Sequence, residues 1–600
     1  MKVLRYLLFQ IIFIFLFFSF TSADANFDVK LDNNYLFDRA GIVSVTEKIS
    51  VKNKTTEKYL PSFEYKIQNV DIKNLDVSEN GRAIPHNISK RENETTIKIN
   101  FGDKVLGNGK RRDFQINYTI DNIAEKTGDV WEISIPKIED VASYSEILTK
   151  ISVPEDFGAE AYFSPSYIRK SHEGDSVVYE FDKNAVSESR IVAAFGQYQV
   201  FDYSINYNLK NTSAASKREV VALPPDTSYQ RIFYKNLEPK PKNISVDEDG
   251  NWIAQYEIPA NSEVKVNVGG FVQIFSYPRK YLSPGVMNLY SNIKETNYWQ
   301  VSDNRIQELS KSLQTPEKVY NFVVGNLKYD FSLTAKDRLG AVEAVTTTDA
   351  VTCREFTDLT IALLRASGIP SREVIGYSQS DNPSVKSISF FNDVLHSWVE
   401  YWDNDKKLWI SIDPTWGATS KSDYFNKFDL RHFAFAIHGQ SDSLPYPPGS
   451  FTDNRNSKDI SVNVGNIENI IEKPIKVEYK TEIFFVLTRQ MNITLKNENP
   501  FALYDKRIDY ISDNKIYAQD NVQIIPPFST INRSVYSKFS LLGRDTPDKY
   551  AVVINGARKE IEGTKLTDMY SQLIIVFLII ASVIVFLLIR VRIPKSKKYD

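Results

Sequence analysis

The chain contains a single cysteine, Cys353, among 600 residues. One thiol excludes an intrachain disulfide, and it excludes the cysteine-built zinc and iron–sulfur sites that need several. Histidine is almost as scarce. Of its five residues, no two form a helix-spaced pair around a glutamate, so the metallohydrolase signature is missing. There is no glycine-rich loop shaped to cradle phosphate. These gaps lead us to expect no metal and no cofactor. Charge of one sign is lacking too: 73 Lys and Arg stand against 75 Asp and Glu. That balance removes the broad attraction a nucleic-acid partner would require. No regular repeat or low-complexity tract is present.

What the sequence does hold begins at its ends. Lys2 and Arg5 precede an apolar stretch from Leu7 to Phe20, and Ala23-Asp24-Ala25 follows as a small-residue cleavage site. Residues 1–25 therefore read as a signal peptide. From Leu573 to Ile589 no charged residue interrupts an apolar run, enough for a tilted membrane-spanning helix. Arg590, Arg592, Lys595, Lys597 and Lys598 come next. The positive-inside rule then places residues 591–600 in the cytoplasm as a basic tail and about 26–566 outside. Both ends predict a single-pass cell-membrane protein.

Between the ends the hydrophobic period changes twice. Short alternating runs such as Val43–Ile49 and Thr96–Phe101 fill residues 26–203 and predict an antiparallel β-sandwich. A second β module is expected over 204–279, with strands near Glu219–Ala222 and Glu263–Val268 and a turn at Asp247–Gly250. The period then becomes 3.6. Asn304–Leu313 and Pro316–Leu327 read as helices, the second capped by Thr315 with Pro316 in its first turn. This opens a domain spanning 280–442. After Pro445-Tyr446-Pro447-Pro448-Gly449, alternation returns in a C-terminal β-sandwich over 443–566, followed by the membrane helix at 567–590.

The chemistry concentrates in the helical region. Thr352-Cys353-Arg354-Glu355 has capping-box spacing, which makes Cys353 the first residue of a helix. Phe356, Leu359, Leu363 and Ala366 recur on one face, and Gly368 with Pro370 supplies the stop. Free amides and the positive helix end at this position stabilise a thiolate and make it available as a nucleophile.

His396 and Asp413 flank a hairpin signal, with Asp403-Asn404-Asp405-Lys406 between Trp402 and Lys407. A two-residue loop at Asn404-Asp405 would pair Asp403 with Lys406 and set His396 directly opposite Asp413. Opposed side chains on one face are close enough for a carboxylate to orient an imidazole. A loop with an odd number of residues would instead separate the faces. Taken alone, each residue has a bland structural explanation. Together, Cys353, His396 and Asp413 supply nucleophile, base and orienter.

The segments TCREFTDLTIALLRASGIPSREVIGY, LHSWVEYW and WISIDPTW resemble the core of the transglutaminase-like superfamily, in the family's order of Cys, His and Asp. The chain departs at Val351, where the family commonly has glycine. The resemblance covers about 316–439 and implies a papain-like α+β core, so the expected fold is multidomain, with β-sandwiches flanking an α+β domain. It also implies roles: Cys353 as nucleophile, His396 as general acid and base, Asp413 as orienter. The expected activity is acyl transfer at protein or peptide amide bonds through a thioester, with water favoured over an amine as acceptor. The substrate would be a protein or peptide, such as a cell-envelope protein. The competing reading is a catalytically silent surface scaffold using the same fold. His432 and His438 are read as structural.

Overall fold

A computed structural model describes residues 26–592 except 69–70, 92–93, 189, 283–288, 332–336, 350, 379–394, 421, 452–457, 485–487, 513–514, 537–548, 555 and 563–565. The expected signal peptide and the last residues of the basic tail lie outside the described residues.

The N-terminal region is β-structure, as alternation predicts, but one pairing departs from the antiparallel expectation. Phe27–Phe37 pairs antiparallel with Val43–Asn53 on one side and parallel with Glu146–Pro154 on the other. An eight-stranded sheet results, and its alternating inward residues, among them Tyr35, Val45, Ile49, Ile116 and Ile151, form a continuous core. Period-two patterning specifies the buried face of a strand and leaves the direction of its neighbour open.

One expected boundary falls inside a strand, and another is bridged by a pairing across it. Gln199–Asn211 is one uninterrupted strand across the division at 203/204. Ile460–Val464, expected in the C-terminal domain, pairs with that strand, completing a sheet that also holds Gln230–Glu238 and Ser262–Ile274. The helical region therefore lies in sequence between two strands of one sheet. Beyond it, Lys476–Phe484 and Thr488–Lys496 form a hairpin in the last β region. Leu566–Arg592 is a single helix, and its segment Leu573–Arg590 is long and apolar enough to cross a membrane.

The region that carries the site is a four-stranded antiparallel sheet in the order Leu408–Ile412, His396–Asp403, Ser371–Ser378, His432–His438. Asn304–Ser310, Pro316–Asn326 and Ala341–Thr346 pack around a central helix, Cys353–Ala366. Its apolar residues Phe356, Leu359, Leu363 and Leu364 are fully buried against the sheet. The middle β region supports the same sheet through Phe433 and Phe435, which belong to its core. Polar ties reinforce the junction: Gln230 bonds both backbone groups of Ala434, and Asn251 does the same for Ile437.

Candidate active site

Cys353 opens its helix as local chemistry dictates. The reciprocal capping box of Thr352 and Glu355 forms, with the Thr352 amide donating to Glu355 Oε2 at 2.9 Å. The far end closes in a Schellman arrangement: Gly368 at φ 74° donates to Arg365 O, and Ile369 donates to Leu364 O. Both ends are thus fixed by the sequence signals that announced them. The amides of the first turn have no carbonyl partner within the helix, and Thr352 takes that of Glu355.

The thiol is more enclosed than its polar neighbours suggest, with Cys353 only 3% exposed. The surroundings are nonetheless polar. Thr352 and Glu355 are buried beside it, and a hydrogen bond with the thiol helps to hold the proton of His396. Val351, at the position where family members commonly carry glycine, forms a parallel bridge to Tyr329. Burial first, then the nearby charge of Cys353, raise the Tyr329 hydroxyl pKa.

The hairpin bearing the histidine is built differently from the expected one. Its loop contains four residues, Asn404 to Lys407, and Asp403 pairs with Leu408. The reason is local. Asp403 Oδ1 accepts from the amides of Asp405 and Lys406, and Lys407 takes a left-handed φ of 56°. Register shifts by two residues, which preserves the face. Asp413 lies just beyond the last pair, Val399 with Ile412, and diagonal to His396 rather than opposite it. His396 Nε2 and Asp413 Oδ2 are 2.7 Å apart. Trp398 lies 6.1 Å from the His396 ring, whereas Trp409 stacks on Arg372.

Burial alone would lower the pKa of His396. The Asp413 carboxylate and the Cys353 hydrogen bond outweigh it and raise the imidazole to about 9. Burial likewise opposes the charge on Asp413, but His396 and His432 hold its pKa well below the usual carboxylate range. At neutral pH the arrangement therefore favours an imidazolium between a sulfur and a carboxylate.

Two further groups surround this pair, the first centred on His432, which the sequence reading took as structural. His432 Nε2 lies 3.0 Å from Asp413 Oδ2, and its Nδ1 lies 2.6 Å from Asp429 Oδ1. Behind the central helix, Arg338 forms a bidentate pair with Asp358 and also reaches Glu373 Oε2 at 3.2 Å. Trp299 donates to Asp358 at 2.9 Å, while His438 and Ser397 hold Glu373. Ser397 also bonds Thr357, tying the His396 strand to the Cys353 helix. A carboxylate in mid-helix, Asp358, and the Asp-x-x-His spacing of Asp429 and His432 were the available signals.

Ligand atoms of His396, Asp413 and His432 all lie within 4.8 Å of one another. They do not fit a metal as arranged. Both imidazoles converge on one oxygen at hydrogen-bond distances of 2.7 and 3.0 Å, whereas ligands about 2.0 to 2.1 Å from a tetrahedral zinc spread farther apart.

Comparison with known proteins gives a family match over the same stretch of chain. Residues 300–414 match the sequence profile described as the Transglutaminase-like superfamily. The chain thus carries a transglutaminase-like domain, in a superfamily of cysteine-type enzymes. A protein-glutamine gamma-glutamyltransferase of Pseudomonas aeruginosa is 37% identical over 65 residues, 11% of this chain and 10% of that protein. YebA, an uncharacterized protein of Bacillus subtilis, is 23% identical over 270 residues, 37% of this chain and 35% of its own length. The chain thus spans about a third or less of these relatives. Among solved structures, a candidate cysteine protease from Cytophaga hutchinsonii gives a TM-score of 0.32 at 16% identity, covering 46% of this chain and 93% of its own. The periplasmic domain of Pseudomonas aeruginosa TgpA gives 0.23 at 15% identity, covering 38% and 92% respectively.

Proposed function

We propose that this protein is a membrane-anchored cysteine hydrolase of protein or peptide amide bonds, with its transglutaminase-like domain outside the cytoplasm. The observation that carries the reading is the 2.7 Å pair of His396 and Asp413, with Cys353 at the start of its helix close enough to help raise the pKa of the same imidazole. The Cys353 thiolate attacks the amide carbonyl carbon, and amides at the helix start receive the developing oxyanion. His396 donates its proton to the departing amine as the C–N bond breaks, leaving a thioester. A water deprotonated by His396 then attacks the thioester, releases the acid and regenerates the thiolate. Asp413 orients the imidazole throughout.

An amine taking the place of water at the thioester would give transfer instead of hydrolysis, the kind of reaction named for the Pseudomonas relative, a glutamyltransferase. The apolar helix at Leu573–Arg590, followed by basic residues, supports anchoring with the enzyme domain external. We further infer that 199–274 and 460–464 form one β unit into which the catalytic domain is inserted.

The test is the pH dependence of iodoacetamide alkylation of the lone thiol in the full chain. Wild type is expected to label rapidly well below the reference thiol pKa of about 8.5. His396→Ala and Asp413→Ala should lose that acidic reactivity. Slow labelling with an ordinary thiol profile in all three proteins would instead indicate a silent scaffold. Peptide amide substrates with and without an added amine then separate hydrolysis from cross-linking.

A further inference from the structure

The catalytic reading uses one carboxylate oxygen, Asp413 Oδ2, yet two imidazoles meet there. The second belongs to His432, at the start of the edge strand His432–His438, and it is 3% exposed. Both of its ring nitrogens face carboxylates: Nε2 to Asp413 and Nδ1 to Asp429. Ionised carboxylates only accept hydrogen bonds, so satisfying both contacts requires a proton on each nitrogen. Such a ring is cationic.

Its surroundings suit a buried cation. The ring lies 4.4 Å from Phe428, 4.7 Å from Trp416 and 5.0 Å from Trp398. Asp429 is itself fixed: the Arg431 amide donates to Oδ1 and the Tyr424 hydroxyl to Oδ2. The Arg431 guanidinium is engaged by Glu132 of the N-terminal region. From the neighbouring helices, Tyr320 accepts from the Tyr424 amide, and Cys353 helps raise the pKa of His396. Charges therefore alternate along the contacts from His396 through Asp413 and His432 to Asp429. Burial opposes charge on His432, but Asp429 and Asp413 raise its pKa to about 9.

We propose that His432, clamped by Asp429, is a positioning residue for this site: a second imidazolium that fixes Asp413 Oδ2 and restrains its pull on the His396 proton. The inference rests on the catalytic reading above. Without His432, Asp413 would face one cation instead of two and hold the His396 proton more tightly. That would oppose both proton delivery to the leaving amine and recovery of the free base that activates water.

The experiment uses iodoacetamide alkylation of the detergent-solubilised full chain across a wide pH range. Wild type should show two transitions, an acidic one as the thiolate–imidazolium pair forms and an alkaline one as His396 loses its proton. His396→Ala identifies the second by abolishing it. His432→Gln keeps a donor to Asp413 but removes the cation, and it should move the alkaline transition upward by about one pH unit. A unit charge at the 5.7 Å separation of the two rings limits the shift to about two units at an effective dielectric of ~20. Asp429→Asn should move it in the same direction, and Asp429→Glu should return it toward wild type.

A purely structural role would lower stability and leave the transition in place. Should His432→Gln fail to fold, Asp429→Asn retains both rings and carries the test. An alkaline transition that stays within about 0.3 units in the folded variants overturns the proposal. A wild type with only one ordinary thiol transition overturns the catalytic reading instead.

Discussion

Gly376 pairs with His396 in the centre of the sheet and also contacts the His432 strand through a bulge between Ile375 and Gly376. A methyl added there would sit 2.0 Å from Phe433 O, 2.8 Å from the Trp398 ring and 2.9 Å from Ala434 Cα. Ordinary contact begins near 3.4 Å, so relief requires a backbone displacement of about 1.4 Å. Trp398 is 2% exposed and has little room to yield. Gly376→Ala should therefore push the His432 strand away from the His396 strand, at a cost of about 1 to 3 kcal/mol for overpacking. A misplacement of about 1 Å within a catalytic constellation can cost on the order of 100-fold in rate. The acidic alkylation of Cys353 should fall steeply, and the domain should melt earlier. Gly325→Ala supplies the control. It lies in the helix Pro316–Asn326 with nothing within 4 Å of the added methyl, and should be neutral or stabilising by about 0.5 to 1 kcal/mol. A Gly376→Ala protein that matches wild type in both alkylation profile and melting would refute the packing argument.

Arg338→Met should destabilise the domain by about 3 to 5 kcal/mol, because it takes the guanidinium away from two buried carboxylates, Asp358 and Glu373; thermal unfolding of the variant measures this. Melting temperature should also respond to alkali. His396 and His432 have folded-state pKa values raised to about 9, so their contribution is complete below about 6.5 and is lost as pH rises toward 9. Stability should decline across that window, less steeply in His432→Gln, and a flat profile would contradict the assigned charges. Tyr504→Phe removes a 2.6 Å hydrogen bond to the buried Asp226, joining the last β region to the middle one. The loss should be about 1.5 to 3 kcal/mol, with faster limited proteolysis between the two regions. Deleting residues 567–600 should transfer the protein from the carbonate-resistant membrane fraction to the supernatant, whereas retention in the membrane would exclude Leu573–Arg590 as the anchor.

The features legible in the sequence were those encoded over short distances. The Cys353 helix was bounded correctly because its capping box and its Gly368 stop each act within a few residues. The helix Pro316–Asn326 was found through the Thr315 cap, which accepts from the Lys318 amide. Long-range pairing was not legible. Nothing local to Ile460–Val464 distinguishes a strand that joins Gln199–Asn211 from one that opens a new domain. The parallel contact between Phe27–Phe37 and Glu146–Pro154 is invisible for the same reason, since alternation reports burial and not partnership.

The pair of His396 and Asp413 shows how a register can be misread while the same two side chains still meet. The predicted loop was two residues too short, yet a shift of two returns every side chain to its original face, and the reach of a carboxylate and an imidazole absorbs the diagonal offset. His432 had no such protection. Its approach to Asp413 depends on three successive sheet pairings, on the bulge at Gly376 and on Asp429 three residues upstream. A histidine in a strand normally signals packing, and here the edge strand sets that same histidine against a carboxylate oxygen already committed to His396. The sequence signals for the central residues were local, whereas the charge that His432 presents to Asp413 is produced by tertiary structure.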